Sequence, residues 1–299
     1  MSYPSFTNDK STVVQVSDNW PAINGISRMV IFGDSYSSVG YRGRPGLTVP
    51  RAEKPLGVDF PGSSLEMWNE DGTPNWVGHL ITKYMPGPRY KPDQGEQDEG
   101  YADDPLLIYD YAIGGNTING VASQVKEQFL GPNCVGTKPQ WAPWESNNTL
   151  FVTWVGINDC AFNKEHENNI SKLFDLQEQL YQAGARNFLF IDVPPIHRSP
   201  AISPRRAEMA SVSYHNWNDG LRSGLNTFAQ SHQDTSLFLF SSYATFDHML
   251  DNYKDYGFTQ EDVREPFRAI WCDQLHPKSK VHDILAFNIY SFLSNIPKI

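Results

Sequence analysis

A doubly wound, three-layer α/β fold is what the sequence predicts, from three observations: short apolar runs, helical periodicities between them, and regular alternation of the two. The first run spans about 28–34. The second, 105–112, reads Pro-Leu-Leu-Ile-Tyr-Asp-Tyr-Ala, and the third, 149–155, reads Thr-Leu-Phe-Val-Thr-Trp-Val. The fourth covers 187–193 and the fifth 236–241. Near-continuous apolarity suits strands covered on both faces, hence a parallel sheet. Among the helical patterns, one is capped by Asn75 and aligns Trp76, Val77, Leu80, Ile81 and Tyr84. A second aligns Ile170, Leu173, Phe174, Leu180 and Tyr181 and ends at Gly184. Two more run over about 205–230 and 278–294.

No strong boundary interrupts the 299 residues, so they read as a single domain, 1–299, long enough to bury a substantial core. Two long segments break the alternation: 41–74, rich in Gly and Pro, and 86–104, polar and acidic. Loops of that length in a compact domain are usually functional or mobile. The first follows Ser35 and is the better candidate for a substrate wall.

A net charge of −10 with scattered Lys and Arg disfavours nucleic acid and anionic membrane surfaces as partners, and a small neutral substrate fits better. No stretch approaches the roughly 18 apolar residues of a membrane span. No basic start followed by an apolar run marks a signal peptide. A native Met1 therefore implies a cytoplasmic protein. A removed leader would imply a secreted one, with Asn147 and Asn169 as glycan acceptors. Cys134, Cys160 and Cys272 are too few and too widely spaced for a disulfide framework or a CxxC metal site; one pair plus a thiol and three thiols fit equally. His79, His282 and the other histidines show no metal-ligating spacing, so neither metal nor cofactor is expected.

The chemistry lies at the strand ends. In an open parallel sheet ligands sit beyond the carboxyl ends of the strands. Gly33-Asp34-Ser35 follows the first run, Gly114-Gly115-Asn116 the second, and Gly156-Ile157-Asn158-Asp159 the third. Asp273-Gln274-Leu275-His276 lies near the C-terminus. A serine hydroxyl attacks an acyl carbonyl usefully when an imidazole takes its proton, and a carboxylate fixes that imidazole's tautomer. Ser35, His276 and Asp273 supply these three groups. The backbone N–H of Ser35, the N–H of Gly115 and the amide of Asn158 supply donors for the oxyanion. Asp159 reads as a brace for the turn of Asn158, and Asp34 as a brace for that of Ser35.

These four blocks, in this order, resemble those of the GDSL, or SGNH, hydrolase superfamily. The resemblance implies a flavodoxin-like three-layer fold with a central five-stranded parallel sheet, Ser35, Asp273 and His276 as catalytic residues, and Ser35, Gly115 and Asn158 as the oxyanion hole. Trp20-Pro21, Phe32 to Tyr36 with Gly40-Tyr41, Pro74 to Val77, Trp154 to Asp159 and Ala183 to Pro195 further resemble fungal acetylesterases of carbohydrate esterase family sixteen. That resemblance implies a serine acetylesterase that deacetylates hemicellulose oligosaccharides through an acyl-enzyme. The second block departs from the commoner Asn-x-Ala-x-Gly-Gly-Ala, reading Asp110-Tyr111-Ala112-Ile113-Gly114-Gly115-Asn116.

Two alternatives accompany this reading: a GDSL lipase or lysophospholipase, and an inactive carbohydrate-binding relative. The acid and base stand three residues apart and no G-x-S-x-G elbow surrounds Ser35, which disfavours the α/β-hydrolase class. Trp68, Trp141, Trp144, Tyr36, Tyr41 and Phe60 lie in or near loops where a ring can cover a sugar face, although packing is the commoner fate of each.

Overall fold

The computed structural model describes residues 3–4, 6–43, 49–92, 96–162 and 165–299. Met1, on which the expectation about location turns, and segments 44–48 and 93–95 of the two long loops lie outside the described residues. Among those described, six strands form one sheet: β1 (Thr12–Gln15), β2 (Arg28–Gly33), β3 (Leu107–Asp110), β4 (Thr149–Trp154), β5 (Asn187–Ile191) and β6 (Ser236–Phe240). Their order is β1-β6-β5-β4-β2-β3, with β2 to β6 parallel and β1 antiparallel to β6. All five predicted strands are present. β1 corrects the expected count: it has four residues, half of them polar, and Val13 is exposed. An edge strand with one wet face carries no buried run for a sequence reading to find. Gln15 fastens it, donating from Nε2 to the carbonyls of His232 and Thr235 at 2.9 and 2.8 Å.

The helices are α1 (Trp76–His79, continued by a π turn over Leu80–Tyr84), α2 (Ile118–Ser123, continued likewise over Gln124–Phe129), α3 (Ile157–Phe162), α4 (His166–Gln182), α5 (Ala207–Ser231), α6 (Ser242–Asp251) and α7 (Ser279–Ser294). Asn75 caps α1 as expected, its side chain accepting from the N–H groups of Val77 and Gly78. α2, α3 and α6 were not anticipated. Each is short, so little periodicity accumulates. α4 packs on α2 and α5, while α7 packs on α1 and α6, which gives the three layers. β4, β5 and β6 are buried at every position, as strands sandwiched between helices must be. No helix among the described residues is long and apolar enough to cross a membrane. All three cysteines are free thiols. Asn169 is buried in α4, which removes it as a glycan acceptor, whereas Asn147 is exposed.

Following the chain, β3 pairs on one side of β2 and β4 on the other, so the winding direction reverses at β2. Such a switch point opens a crevice beyond the strand ends. At that edge Gly33 of β2 pairs with Trp154 of β4, and a Cβ on Gly33 would lie 2.4 Å from the Trp154 carbonyl oxygen. Only glycine permits this approach. Gly33→Ala is expected to destabilise the protein by about 1–3 kcal/mol in urea unfolding, the usual cost of forcing atoms into a filled space; an unchanged midpoint would contradict the steric account.

Candidate active site

β2 ends in a tight turn that carries Ser35. Asp34 organises it: its Oδ1 accepts the Tyr36 N–H at 3.2 Å, and its carbonyl accepts from Ser37 and Ser38 at 3.2 and 3.1 Å. Asp34 is fully enclosed, and burial pushes its carboxyl up to about 7, opposed by the Tyr36 N–H and reinforced by the negative charge of Asp159. Behind the turn, Gln124 is buried and pairs with both polar groups of Gly33, accepting its N–H at 3.0 Å and donating to its carbonyl at 2.8 Å. The same amide lies 3.0 Å from Asn116 Oδ1. One side chain thus couples the turns after β2 and β3. The sequence reading missed it, because a glutamine in a helical pattern carries no signal until its helix is placed.

Gly115 has φ +78°, the left-handed region, and a Cβ there would meet nothing within 4 Å. Glycine is therefore required by backbone conformation rather than by crowding. Among the described residues, neither the Ser35 N–H nor the Gly115 N–H has an acceptor. Asn158, in α3 just after β4, donates from Nδ2 to the Asn116 carbonyl at 3.0 Å and lies 3.5 Å from Asp34 Oδ2. The first contact orients the amide, and the second is at the limit of a hydrogen bond. Gly156, with φ +128°, supplies the turn beneath it, where a Cβ would strike Trp217.

Asp159 reaches further than its own turn. Its carboxylate accepts the Ile118 N–H at 3.1 and 3.2 Å, so it also caps the start of α2. It thereby ties the block after β4 to the segment after β3. Burial pushes its carboxyl up to about 6, with the Ile118 N–H opposing.

The distant C-terminal block meets Ser35 directly. His276 Nε2 lies 3.0 Å from Ser35 Oγ, and His276 Nδ1 lies 2.7 Å from Asp273 Oδ2. The other oxygen of Asp273 accepts the Leu275 and His276 N–H groups, both at 2.7 Å. Half-burial raises the Asp273 carboxyl, but the His276 ring and the two N–H groups outweigh this and hold it at about 2. Asp273 is therefore held in its ionised form beside His276. Tyr36 locks the two blocks together, donating from its hydroxyl to the Leu275 carbonyl at 2.8 Å.

Beyond His276, the Ser279 N–H donates to Glu70 at 2.6 Å and its hydroxyl to the Pro74 carbonyl at 2.6 Å. His79 Nε2 lies 2.8 Å from the same hydroxyl, and Asp283 lies 3.4 Å from His79 Nδ1. This second serine, histidine and carboxylate is a fastening: the hydroxyl is committed to a carbonyl, and burial pushes His79 down to about 4 despite Asp283. From the first long loop, Trp68 sets its ring 4.8 Å from that of His276. Of the other aromatic candidates, Tyr36, Tyr41 and Trp144 are core residues, Phe60 is partly buried, and Trp141 is exposed in the loop preceding β4, at the opposite edge of the sheet.

The sequence profile of the GDSL-like lipase/acylhydrolase family matches residues 29–289. The chain belongs to that family. It is accordingly a serine carboxylic ester hydrolase. An acetylesterase of Thermothelomyces thermophilus is 27% identical in an alignment 280 residues long that covers 86% of this chain and 85% of that protein. A GDSL esterase/lipase of Arabidopsis thaliana is 31% identical over 91 residues, 28% of this chain and 23% of that one. In fold, the family member resembles an acetylxylan esterase of Geobacillus stearothermophilus with a TM-score of 0.52 and 13% identity, over 91% of this chain and 96% of that chain.

Replacing Gln124 with Leu leaves the N–H of Gly33 buried without its acceptor, and stability is expected to fall by about 1–3 kcal/mol in urea unfolding; no loss would show that Gln124 does not hold the turn. A second expectation concerns pH. The raised value of Asp34 means that the folded state binds a proton more tightly than the unfolded chain, whose carboxyl titrates near 3.8. Its contribution is most favourable below 3.8 and declines as pH rises toward about 7. The stability of the wild type relative to Asp34→Asn should therefore decrease between about pH 4 and pH 7, and a flat difference would contradict the burial argument.

Proposed function

We propose that this esterase removes acetyl groups from carbohydrate esters through a covalent acyl-enzyme, with Ser35 as nucleophile, His276 as base and acid, and Asp273 as the orienting carboxylate. The observation that carries the proposal is the unbroken line of short contacts from Ser35 Oγ through His276 to Asp273. In this reading His276 Nδ1–H donates to Asp273, which leaves Nε2 with a lone pair toward the serine hydroxyl. Ser35 Oγ bonds to the carbonyl carbon as its proton passes to Nε2. The carbonyl oxygen takes up the displaced electron pair and is held by the Ser35 N–H, the Gly115 N–H and the Asn158 amide. Collapse of this intermediate breaks the bond to the alcohol oxygen, which leaves with the proton from Nε2. Water then enters by the same route and releases acetate.

The acetyl preference is supported by the full-length likeness to a fungal acetylesterase and by the residues that resemble carbohydrate esterase family sixteen. The net charge of −10 is compatible with a neutral sugar ester and unfavourable for an acidic one.

Ser35→Ala is expected to abolish release of nitrophenol from p-nitrophenyl acetate, and Asp273→Asn to lower kcat by about 10⁴-fold through loss of the correct tautomer; a rate near wild type in either would remove that residue from its role. For the substrate, the test is mass spectrometry of products from acetylated xylo-oligosaccharides beside a chain-length series of nitrophenyl esters. Loss of acetyl mass units and preference for acetate are expected, whereas preference for octanoate with intact oligosaccharide would point to a lipase.

A further inference from the structure

Of the eight tryptophans, six are buried, and Trp68 and Trp141 alone are more than 40% exposed. Trp68 is the exposed one that stands at the site. Its ring lies 4.8 Å from the His276 ring at 30°. It also crosses Gly114, where a Cβ would fall 2.2 Å from the indole Nε1, so the segment before Gly115 is contoured to admit it. The residue nevertheless remains 44% exposed.

A half-exposed tryptophan in a loop would be unremarkable if the loop were loosely held, but this one is fastened on both sides. Glu66 pairs with Arg42. Glu70 accepts the Ser279 N–H at 2.6 Å, three residues beyond His276, and the Ser63 N–H donates to the Val39 carbonyl at 2.9 Å. Trp68 is thus fixed relative to the imidazole.

We infer that Trp68 is the platform for the alcohol half of the ester, against which the apolar face of a pyranose ring lies during transfer. The inference rests on the sugar-ester reading above and names the residue that would recognise the sugar. The alcohol oxygen must come within hydrogen-bond reach of His276 Nε2 to receive its proton. With the imidazole and indole centroids 4.8 Å apart, the ring that oxygen carries begins in the neighbourhood of the indole. An acetyl group is too small to use such a surface. A pyranose presents axial C–H groups on one face and hydroxyls at its rim, which suits a part-exposed indole at an otherwise polar site.

The test compares wild type, Trp68→Phe and Trp68→Ala on two acetates: a monoacetylated methyl xyloside and 2-methoxyethyl acetate, whose leaving alcohol has no ring but needs a proton as a sugar hydroxyl does. The readout is the ratio of kcat/KM values, xyloside over methoxyethyl, which removes effects on His276 common to both esters. In Trp68→Ala the ratio should fall about tenfold, and in Trp68→Phe it should stay within about threefold of wild type, as expected for stacking of this strength. An unchanged ratio in Trp68→Ala, including the case in which both esters slow equally, would overturn the inference and leave Trp68 as a support for the imidazole. If wild-type enzyme cleaves methoxyethyl acetate but not the xyloside, the sugar reading fails. Cyclohexyl acetate then replaces the xyloside: a tenfold fall of its ratio in Trp68→Ala keeps the platform, and no fall removes it.

Discussion

The site depends on a steric constraint at the switch point of the sheet: Gly33 must pass the carbonyl of Trp154 with no side chain. That passage brings the ends of β2 and β4 together in parallel register, so Ser35 and Asn158 emerge side by side although 123 residues separate them. Gln124 completes the arrangement, because its buried amide pairs with Gly33 where β2 leaves the sheet and with Asn116 beside Gly115. The turn that offers the hydroxyl and the turns that offer the amides are consequently parts of one hydrogen-bonded unit. In the mechanism proposed above, preorganisation of this kind would place donors before charge develops, which is where electrostatic catalysis gains most.

The C-terminal block is held by different means. Asp273 closes its own turn through the Leu275 and His276 N–H groups, so the residues that orient the imidazole also shape the loop beneath it. Tyr36 then joins that loop to the serine turn, and Ser279 joins it to the segment carrying Trp68. Carboxylates at both ends are perturbed in opposite senses for identifiable reasons. Asp34 is enclosed with few donors and is driven up, whereas Asp273 is only half buried, accepts three contacts and is driven down. The structure spends stability on the first to shape the turn of Ser35 and uses the second to keep a charge beside His276.

Much of this was legible in the sequence, and the omissions have physical causes. The five parallel strands announced themselves chiefly through apolar runs, and β4 to β6, buried at every position, are apolar apart from Thr149, Thr153, Asn187 and Ser236. β1 did not, since Thr12-Val13-Val14-Gln15 faces solvent on one side. Gly33, Ser35, Gly115, Asn158, Asp273 and His276 were readable because glycine turns, polar triplets and a short Asp-x-x-His spacing survive in one dimension. Gln124 and Tyr36 were not, for their roles are defined by partners 91 and 239 positions away. Asp159 was read as a brace for the turn of Asn158, and its tie to Ile118 was not legible because that partner lies 41 positions away. Trp68 stood among six aromatic candidates until the structure separated the buried from the exposed.

The central claim, that Ser35 is made nucleophilic by His276 and becomes acylated, is tested most directly by a fluorophosphonate probe followed by peptide mass spectrometry. The account predicts one adduct per chain, on the peptide containing Ser35, with labelling slowed strongly in His276→Ala of unchanged unfolding midpoint. An adduct on another residue, or equally rapid labelling of Ser35 without His276, would contradict it.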